Sequence, residues 1–472
     1  MKNDLKNSVL CDVDVLICGG GLAGCCAAIA AGRAGVKTAL LERSGCLGGV
    51  AMTSFMNSMS NMFFNADDVQ VIKGIPSELI EEGVRRGCIY SGWKTNEYRQ
   101  IRFELEDFHK IILDKLYEAG VSIYTHTWAA DVIQNGDTIT GARVLTRAGW
   151  KTANCKVLID ASGDLDISAT CKEDPTIYEA PGMSTMLFEV CNVNMQETFE
   201  YFLEHPDNYI ERTAEGVSFE AFQRNWRERG LFHLQHYGGV AVKPLQDAIA
   251  KGEYAREIGL AKKCDALAMF GTKNSGKVLV NSNFFYLDEL NDLEQTSRAE
   301  LEVRDICMRL YRVLKKTFPG FQDAVLTHVG SELGCRKVRR LDGKTTMGDI
   351  KIPLFFDDVT GVVPTVDQRA DNGFFGVGNI EISFGMMVPK KIDNLLIASA
   401  KSFSAEWVSR LFLRYQPVCM LTGEITGTAA ALSVEREESV QRLNIKELQR
   451  KLIHNGVYLG EERRLKELGI CE

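Results

Sequence analysis

Residues 13 to 20, VDVLICGG, form an unbroken apolar run behind a short polar lead. A strand buried on both faces of a parallel sheet reads this way. The run ends in glycines, and the small-residue stretch CCAAIAAGRAG follows. This predicts a tight turn and then a helix with small residues on its inner face. VKTALLE predicts a second strand ending at Glu42. Further on, FHKIILDKLYEAGVSIYTHTWAADVI predicts a helix and, after Gly120, a strand. ITGARVLTRAGWKTANCKVLIDASGDLDISA predicts a hairpin followed by a buried strand that ends at Asp160. STMLFEV and VLVNSNFFYL read as strands of a mixed sheet. SVEREESVQRLNIKELQRKLIHNG reads as a polar terminal helical region, its charges a solvated face.

The first turn carries chemistry. Gly19, Gly21 and Gly24 give G-x-G-x-x-G between strand and helix. The first glycine permits the turn, the second lets the backbone approach a pyrophosphate, and the third lets helix and strand pack closely. Free N–H groups at the helix start face the phosphates. Glu42, at the end of the second strand, is placed to accept hydrogen bonds from an adenosine ribose. It disfavours NADP, whose 2′-phosphate would meet a carboxylate. FAD and NAD remain.

RSGCLGGVAMTS follows Glu42, with a second glycine pair at Gly48 and Gly49. This resembles the glutathione-reductase-like class of flavoproteins, in which such a loop closes over the FAD pyrophosphate. Asp160-Ala161-Ser162-Gly163-Asp164 resembles the D-A-T-G-D element of FAD proteins. SELGCRKVRRLDGKTTMGDI, residues 331 to 350, resembles the LG-x-R-x-x-R-R-x-x-G stretch of the FAD-dependent oxidoreductases. KIDNLLIASAKSFSAEWVSRLFLRYQPVCMLTGEITGTAAALS resembles that family's closing strand–helix unit, with Gly423 and Gly427 at the start of a helix facing the flavin. Two positions bear on the family pattern, the first departing from it and the second keeping an Arg and a Pro at family spacing. Ala398-Ser399-Ala400-Lys401 stands where Ala-Gly and then Arg are common, and the later R-x-x-P is Arg414-Tyr415-Gln416-Pro417.

The resemblance covers about residues 12 to 460 and implies an α/β fold. The expected architecture is a discontinuous Rossmann-like FAD-binding domain with an inserted mixed α+β substrate or cap domain. We expect the FAD-binding domain at 1–62, 109–170 and 390–435, the cap at 63–108 and 171–389, and a helical extension at 436–472. The FAD contacts implied are Gly19, Gly20, Gly21, Leu22, Ala23, Gly24, Glu42, Arg43, Gly48, Gly49, Val50, Ala129, Ser162, Gly163, Asp164 and Gly423. The implied activity is hydride transfer between a small organic substrate and FAD. Two other readings are an electron-transfer flavoprotein subunit and a non-catalytic binding protein that kept the fold.

Composition narrows this picture. At 472 residues the chain exceeds what one core serves. A net charge of −8, without a basic stretch, argues against nucleic acid as a partner. No apolar run approaches a membrane span, and MKNDLKNSVL lacks a signal-peptide core. The 14 cysteines form no C-x-x-C pair, which fits a reducing cytoplasm and gives no support to a metal or iron–sulfur site.

No second G-x-G-x-x-G occurs; GFFGVGNIE lacks the third glycine and a following helix. The chain therefore shows no dedicated NAD(P)H domain. The second half-reaction is expected to use oxygen, another acceptor or an electron-acceptor protein. A flavin asks its protein for substrate orientation, sometimes a base, and positive charge near N1 and O2. His233 and His236 in LFHLQHYGG offer a base, or packing and surface groups. Arg336, with Arg339 and Arg340, offers a cation to cofactor or substrate, or ion-paired structure. Lys401 is a candidate to polarise oxygen or substrate, or a solvated cation. Arg414 is a candidate to hold a substrate oxygen or stabilise charge on the flavin, or to pair with an acid and position its loop. Cys46 lies by the pyrophosphate loop, away from the ring, and is not expected to act as a nucleophile. MTSFMNSMSNMFF reads as core lining or a wall of the flavin pocket.

Overall fold

The computed structural model describes residues 8–65, 67–89, 91–94, 100–172, 176–177, 182–209, 218–234, 242–287, 292–336, 339–348, 354–364, 379–406 and 413–471. The chain divides into two compact units. The first comprises Met1–Ala51, Met59–Tyr178 and Arg339–Glu472; the second comprises Met52–Ser58 and Glu179–Val338.

The first unit is built on β1 (Val9–Cys18), α1 (Leu22–Arg33), β2 (Thr38–Leu41), α2 (Ile75–Arg85), α3 (Leu105–Glu118), β3 (Ser122–Tyr124), β4 (Trp128–Asn135), β5 (Thr138–Thr146), β6 (Gly149–Asp160), β7 (Leu395–Ile397) and α4 (Gln416–Arg436). Its parallel strands run in the order β3–β2–β1–β6–β7. Val15, Leu16 and Ile17 of β1 have no exposed surface, as a strand covered on both faces requires. The long strand β6 changes partner along its length. Its first half pairs antiparallel with β5, from Thr146↔Gly149 to Gly141↔Asn154, and its second half pairs parallel with β7, from Leu395↔Leu158 to Ile397↔Asp160. Asn394 stands at this fork. Its Oδ1 accepts the Ile139 N–H at 2.8 Å, and its Nδ2 donates to the carbonyls of Ile139 at 2.7 Å and Lys156 at 2.5 Å.

Helix α1 is buried from Leu22 through Ala31, so it has no polar face within that span. Small residues let α4 lie directly on it. A Cβ on Gly423 would stand 2.1 Å from the Ala23 carbonyl oxygen, and one on Gly427 would stand 2.2 Å from that of Ala27.

Residues 63–108, expected with the cap, belong to the first unit. Charge pairs tie α2 to its neighbours: Arg33 of α1 meets Glu78 at 2.7 Å, and Lys115 of α3 meets the same carboxylate at 3.1 Å. Residues 339–389 also fall in the first unit. There Val359–Pro364 pairs with Asn379–Ser383. The terminal segment holds this pair: Gln449 donates to the Asp357 and Val359 carbonyls at 2.9 and 3.0 Å, and Arg464 meets Glu381 at 2.6 Å. The polar tail thus has buried contacts as well as a solvated face.

The second unit contains two antiparallel sheets. One has the order Leu231–Leu234, Ala268–Thr272, Val278–Asn281, Leu187–Cys191, Val325–Val329. The other has the order Ala261–Lys263, Phe284–Leu287, Gly182–Thr185, Gly334–Cys335. The helix Leu293–Thr317 turns Ala299, Val303, Ile306, Leu310 and Val313 into the core at helical spacing. Aromatic rings fill much of that core; Phe199 and Trp226 stack at 4.9 Å.

One buried acid gives the first unit a pH-dependent contact. Glu424 on α4 is 1% exposed, and its Oε2 accepts the Ile75 N–H at 2.9 Å, at the start of α2. Burial pushes its pKa up to about 8, against the pull of the Ile75 hydrogen bond and Arg33. From the ordinary carboxyl range up to that value, the folded chain keeps a proton that the unfolded chain has lost. Stability from this group is therefore full in acid and is lost as pH rises toward 8. Glu424→Gln stays neutral throughout. The stability of wild type relative to this variant should fall between pH 5 and 8, by at most about 1.4 kcal/mol per pH unit. Urea titrations of both proteins at several pH values check this; a constant difference contradicts it.

Candidate functional site

At the end of β1 the chain turns into α1 through Gly19, whose φ of +114° favours glycine. The Gly19 N–H donates to the Leu41 carbonyl at 2.9 Å, so the turn is fixed to the end of β2. Gly24 faces back on this turn: a Cβ there would stand 1.9 Å from the Gly19 oxygen. Gly21 is the N-cap of α1, and no side chain caps the helix start. A Cβ on Gly21 would meet nothing nearer than the Gly49 Cα at 3.9 Å. The first turn, Leu22, Ala23 and Gly24, carries no acidic residue. Its backbone N–H groups and the helix dipole present partial positive charge to an anion.

Glu42 closes this cradle from the side. Its Oε2 accepts the Gly20 N–H at 2.8 Å, and its Oε1 accepts the Ser44 N–H at 2.7 Å. Each oxygen keeps a second lone pair for a hydroxyl donor. The Thr127 N–H donates to the Glu42 carbonyl at 2.9 Å, which brings the start of β4 alongside. There Arg43 lies 5.7 Å from the centre of the Trp128 ring, and Ala129 follows, opposite Val144. The next loop returns to the glycine turn. The Gly48 N–H donates to the Gly20 carbonyl at 2.7 Å, and Gly48 forms a parallel bridge with Gly21. Gly49 has φ +55°, and a Cβ on it would stand 2.9 Å from the Gly21 Cα. Val50, 44% exposed, starts a short helical turn. Cys46 sits in this loop, and burial, Glu106 and Glu42 raise its thiol pKa, so it is not held as a thiolate.

A second loop leaves the end of β6. Asp160 is fully buried and ties it down: Oδ1 accepts from the Ser162 N–H and hydroxyl at 2.9 and 2.6 Å, and Oδ2 accepts from those of Ser168 at 2.9 and 2.6 Å. The Ser162 hydroxyl is thus a structural pin. The Gly163 carbonyl accepts the hydroxyls of Ser399 at 3.1 Å and Ser402 at 2.6 Å. Lys401 does not stand alone there; its ammonium pairs with Asp164 at 2.7 Å. Arg339 pairs with Asp166 at 3.1 Å, and Arg340 with Glu406 at 2.7 Å.

The closing helix begins earlier than its glycines suggest. α4 starts at Gln416, with Pro417 in its first turn. Gly423 therefore lies inside the helix, against Ala23, and serves the packing of α4 on α1. The group at the helix start is Arg414, half-buried, 5.7 Å from the Tyr415 ring.

In the second unit, Arg336 lies over the Phe284 ring at 5.2 Å and donates to the Met183 sulfur at 3.4 Å. His233 is a packed core residue, its ring 4.6 Å from that of Phe270, and burial pushes its pKa down to about 3. His236 lies outside the described residues. Of the Met- and Phe-rich stretch, Met59, Met62 and Phe63 are buried in the first unit, while Phe55 stacks on His328 at 4.9 Å in the second. Sequence reasoning missed Asp160 as an anchor, and missed His109, whose Nε2 accepts the Leu47 N–H at 3.3 Å. Only the position of Asp160 at a strand end signals its role; nothing in the sequence around His109 does. Among the described residues, no three His, Cys, Asp or Glu side chains gather as a metal site needs.

The groups of the first unit fit a dinucleotide: an uncapped helix start, open space over Gly21, and a carboxylate already oriented by two backbone N–H groups. Comparison with curated protein sequences gives no match. Among solved structures, the fold is similar to a geranylgeranyl bacteriochlorophyll reductase-like protein from Thermoplasma acidophilum, with 12% identity, 99% of this chain and 89% of that one covered, and a TM-score of 0.47. It is similar to a myxobacterial chondrochloren halogenase, an FAD-dependent halogenase variant, at 12% identity, 94% and 79% coverage and a TM-score of 0.48. It is also similar to glycine oxidase from Bacillus cereus, at 11% identity, 96% and 99% coverage and a TM-score of 0.41. Among the described residues no helix is long and apolar enough to cross a membrane. The sequence model of the FAD dependent oxidoreductases matches residues 14–452, and the chain belongs to that family, with FAD as its cofactor.

Proposed function

We propose that this protein transfers a hydride between a small organic substrate and FAD, and that its cofactor site is of the glutathione-reductase-like kind. The observation that carries the reading is the cradle at Gly21: an uncapped helix start, with Gly48–Gly49 facing it and Glu42 at its side. Bound there, FAD supplies a two-electron acceptor and donor. The N–H groups of Leu22, Ala23 and Gly24 neutralise its pyrophosphate, and Glu42 accepts from its ribose. Arg43, Val50 and Ala129 line the same path. Ser162 shapes the loop that presents Gly163 and Asp164, and the Lys401–Asp164 pair keeps that loop in place.

Arg414 precedes a helix whose positive end adds to its own charge. It holds a substrate oxygen or stabilises negative charge on the reduced cofactor. Arg336, seated on Phe284, offers its guanidinium to an anionic or carbonyl group of the substrate. With one dinucleotide fingerprint in the chain, the organic substrate serves one half-reaction, and oxygen or an acceptor protein serves the other. The 14 cysteines form no disulfide, in keeping with a cytoplasmic setting.

Anaerobic mixing with panels of alcohols, amines and carbon acids tests the reaction. A small organic donor should bleach the bound flavin and NADPH should do so slowly. Bleaching by NADPH on the order of ~10 per second, with no organic donor effective, overturns the reading.

Two substitutions test the cofactor site. Gly21→Val has an extended backbone, φ −67°, and open space, so the chain should fold. Its side chain enters the pyrophosphate position and should weaken FAD binding at least about a hundredfold, ~2.7 kcal/mol. Gly24→Val drives a Cβ into the Gly19 carbonyl and should abolish folding itself. Full FAD content in the Gly21 variant contradicts the placement.

Arg414→Met tests the catalytic assignment. It should leave FAD bound and lower kcat/KM about a hundredfold, ~2.7 kcal/mol of transition-state stabilisation. Unchanged turnover per bound flavin, with looser FAD, makes Arg414 a positioning residue instead.

A further inference from the structure

His109 lies outside the FAD-binding motifs, yet it touches the loop that faces the glycine turn. It lies on α3, half-buried, and its Nε2 accepts the Leu47 N–H at 3.3 Å. Leu47 immediately precedes Gly48 and is 1% exposed. Its side chain presses on the turn: a Cβ on Gly20 would stand 2.5 Å from Leu47 Cδ2. Gly48 then bonds the Gly20 carbonyl and bridges Gly21. The imidazole therefore fixes one end of the Leu47–Gly49 segment, and the glycine turn fixes the other.

We propose that neutral His109 is the positioning residue that sets the Leu47–Gly49 segment over the FAD pyrophosphate, and that its protonation releases FAD. The proposal rests on the placement of FAD given above.

The chemistry is one of donors and acceptors. An imidazole accepts an N–H at Nε2 only while that nitrogen carries no proton, so the ring must be neutral with its proton on Nδ1. A second proton makes Nε2 a donor facing a donor. The Leu47 N–H then loses this acceptor, and the segment's anchoring to α3 weakens at that end. Cys46 Sγ lies 3.9 Å from Nε2, and Glu106 is one turn earlier on α3. On the far side of the loop, His126 approaches Gly45: a Cβ there would meet its ring at 3.1 Å. Burial lowers the His109 pKa, while Glu106 pulls it up; the neutral form prevails at neutral pH. Because the folded value is depressed, the contribution is present above it and is lost as pH falls through it. A protonated His109 would also attract the diphosphate through space. The proposal requires the lost hydrogen bond to outweigh that attraction, so the sign of the pH effect on FAD binding tests it.

The test uses the full-length apoprotein and FAD, with flavin fluorescence quenching read from pH 5.5 to 8. Wild type should bind FAD about tenfold more weakly at the acid end, the scale of one lost hydrogen bond. His109→Gln keeps an acceptor and does not titrate; it should bind as wild type does at pH 8 and lose most of the acid weakening. His109→Ala should bind about tenfold more weakly at every pH, with a flat profile. Apoprotein melting temperatures, measured alongside, separate loop positioning from global unfolding. If His109→Gln keeps the wild-type pH profile, or if acid strengthens wild-type binding, the proposal is overturned. Absence of FAD binding to wild type at pH 8 overturns the cofactor placement itself, and this inference with it.

Discussion

Two backbones touch at α1, and the placement of the glycine turn depends on that contact. The helix has no solvent face through its buried span, so it must be narrow enough to sit between the sheet and α4. Alanines and glycines meet this requirement: the carbonyls of Ala23 and Ala27 stand where side chains on Gly423 and Gly427 would be. At its start, the same helix presses Gly24 against the turn it has just left. With its flanks packed, α1 keeps an uncapped N-terminus whose N–H groups no side chain occupies. Tight packing and a positively polarised, uncapped helix start thus come from one choice of small residues.

The parallel sheet was readable because its strands are continuous apolar runs and its turn is dense in glycine. The Glu42 carboxylate was readable because a strand end fixes its place in the fold. Other features depend on contacts distant in sequence. The Arg33–Glu78 and Lys115–Glu78 pairs bind residues 63–108 to the first unit, and no local pattern announces them. The helix Leu293–Thr317 is different: Ala299, Val303, Ile306, Leu310 and Val313 spell its inward face at local, helical spacing.

At the site, partners distant in the sequence add structural roles to residues that the motifs single out. Gly423 reads as a turn or helix start, yet Gln416 begins the helix, and the glycine is there for a neighbouring backbone. Lys401 reads as a group to polarise oxygen or substrate, or as a solvated cation, and the structure pairs it with Asp164. Ser162 reads as a ligand group, and Asp160 holds both its N–H and its hydroxyl. A one-dimensional motif identifies the loop; whether a side chain serves the ligand or the loop is decided by partners the motif does not contain.

The fork in β6 has a consequence for assembly of the sheet. Where the antiparallel hairpin leaves and β7 arrives, backbone groups would lack a strand to pair with. The Asn394 side chain fills the gap as a substitute peptide unit, with one acceptor and one donor group meeting Ile139 and the strand carbonyl of Lys156. It therefore works as a zipper stop. The last strand cannot shift its register by one residue without breaking these bonds, so a segment near position 395 reads its alignment from a hairpin more than two hundred residues earlier. The closing strand of the parallel sheet and the antiparallel hairpin thus share one side chain, so a change at Asn394 is felt by both.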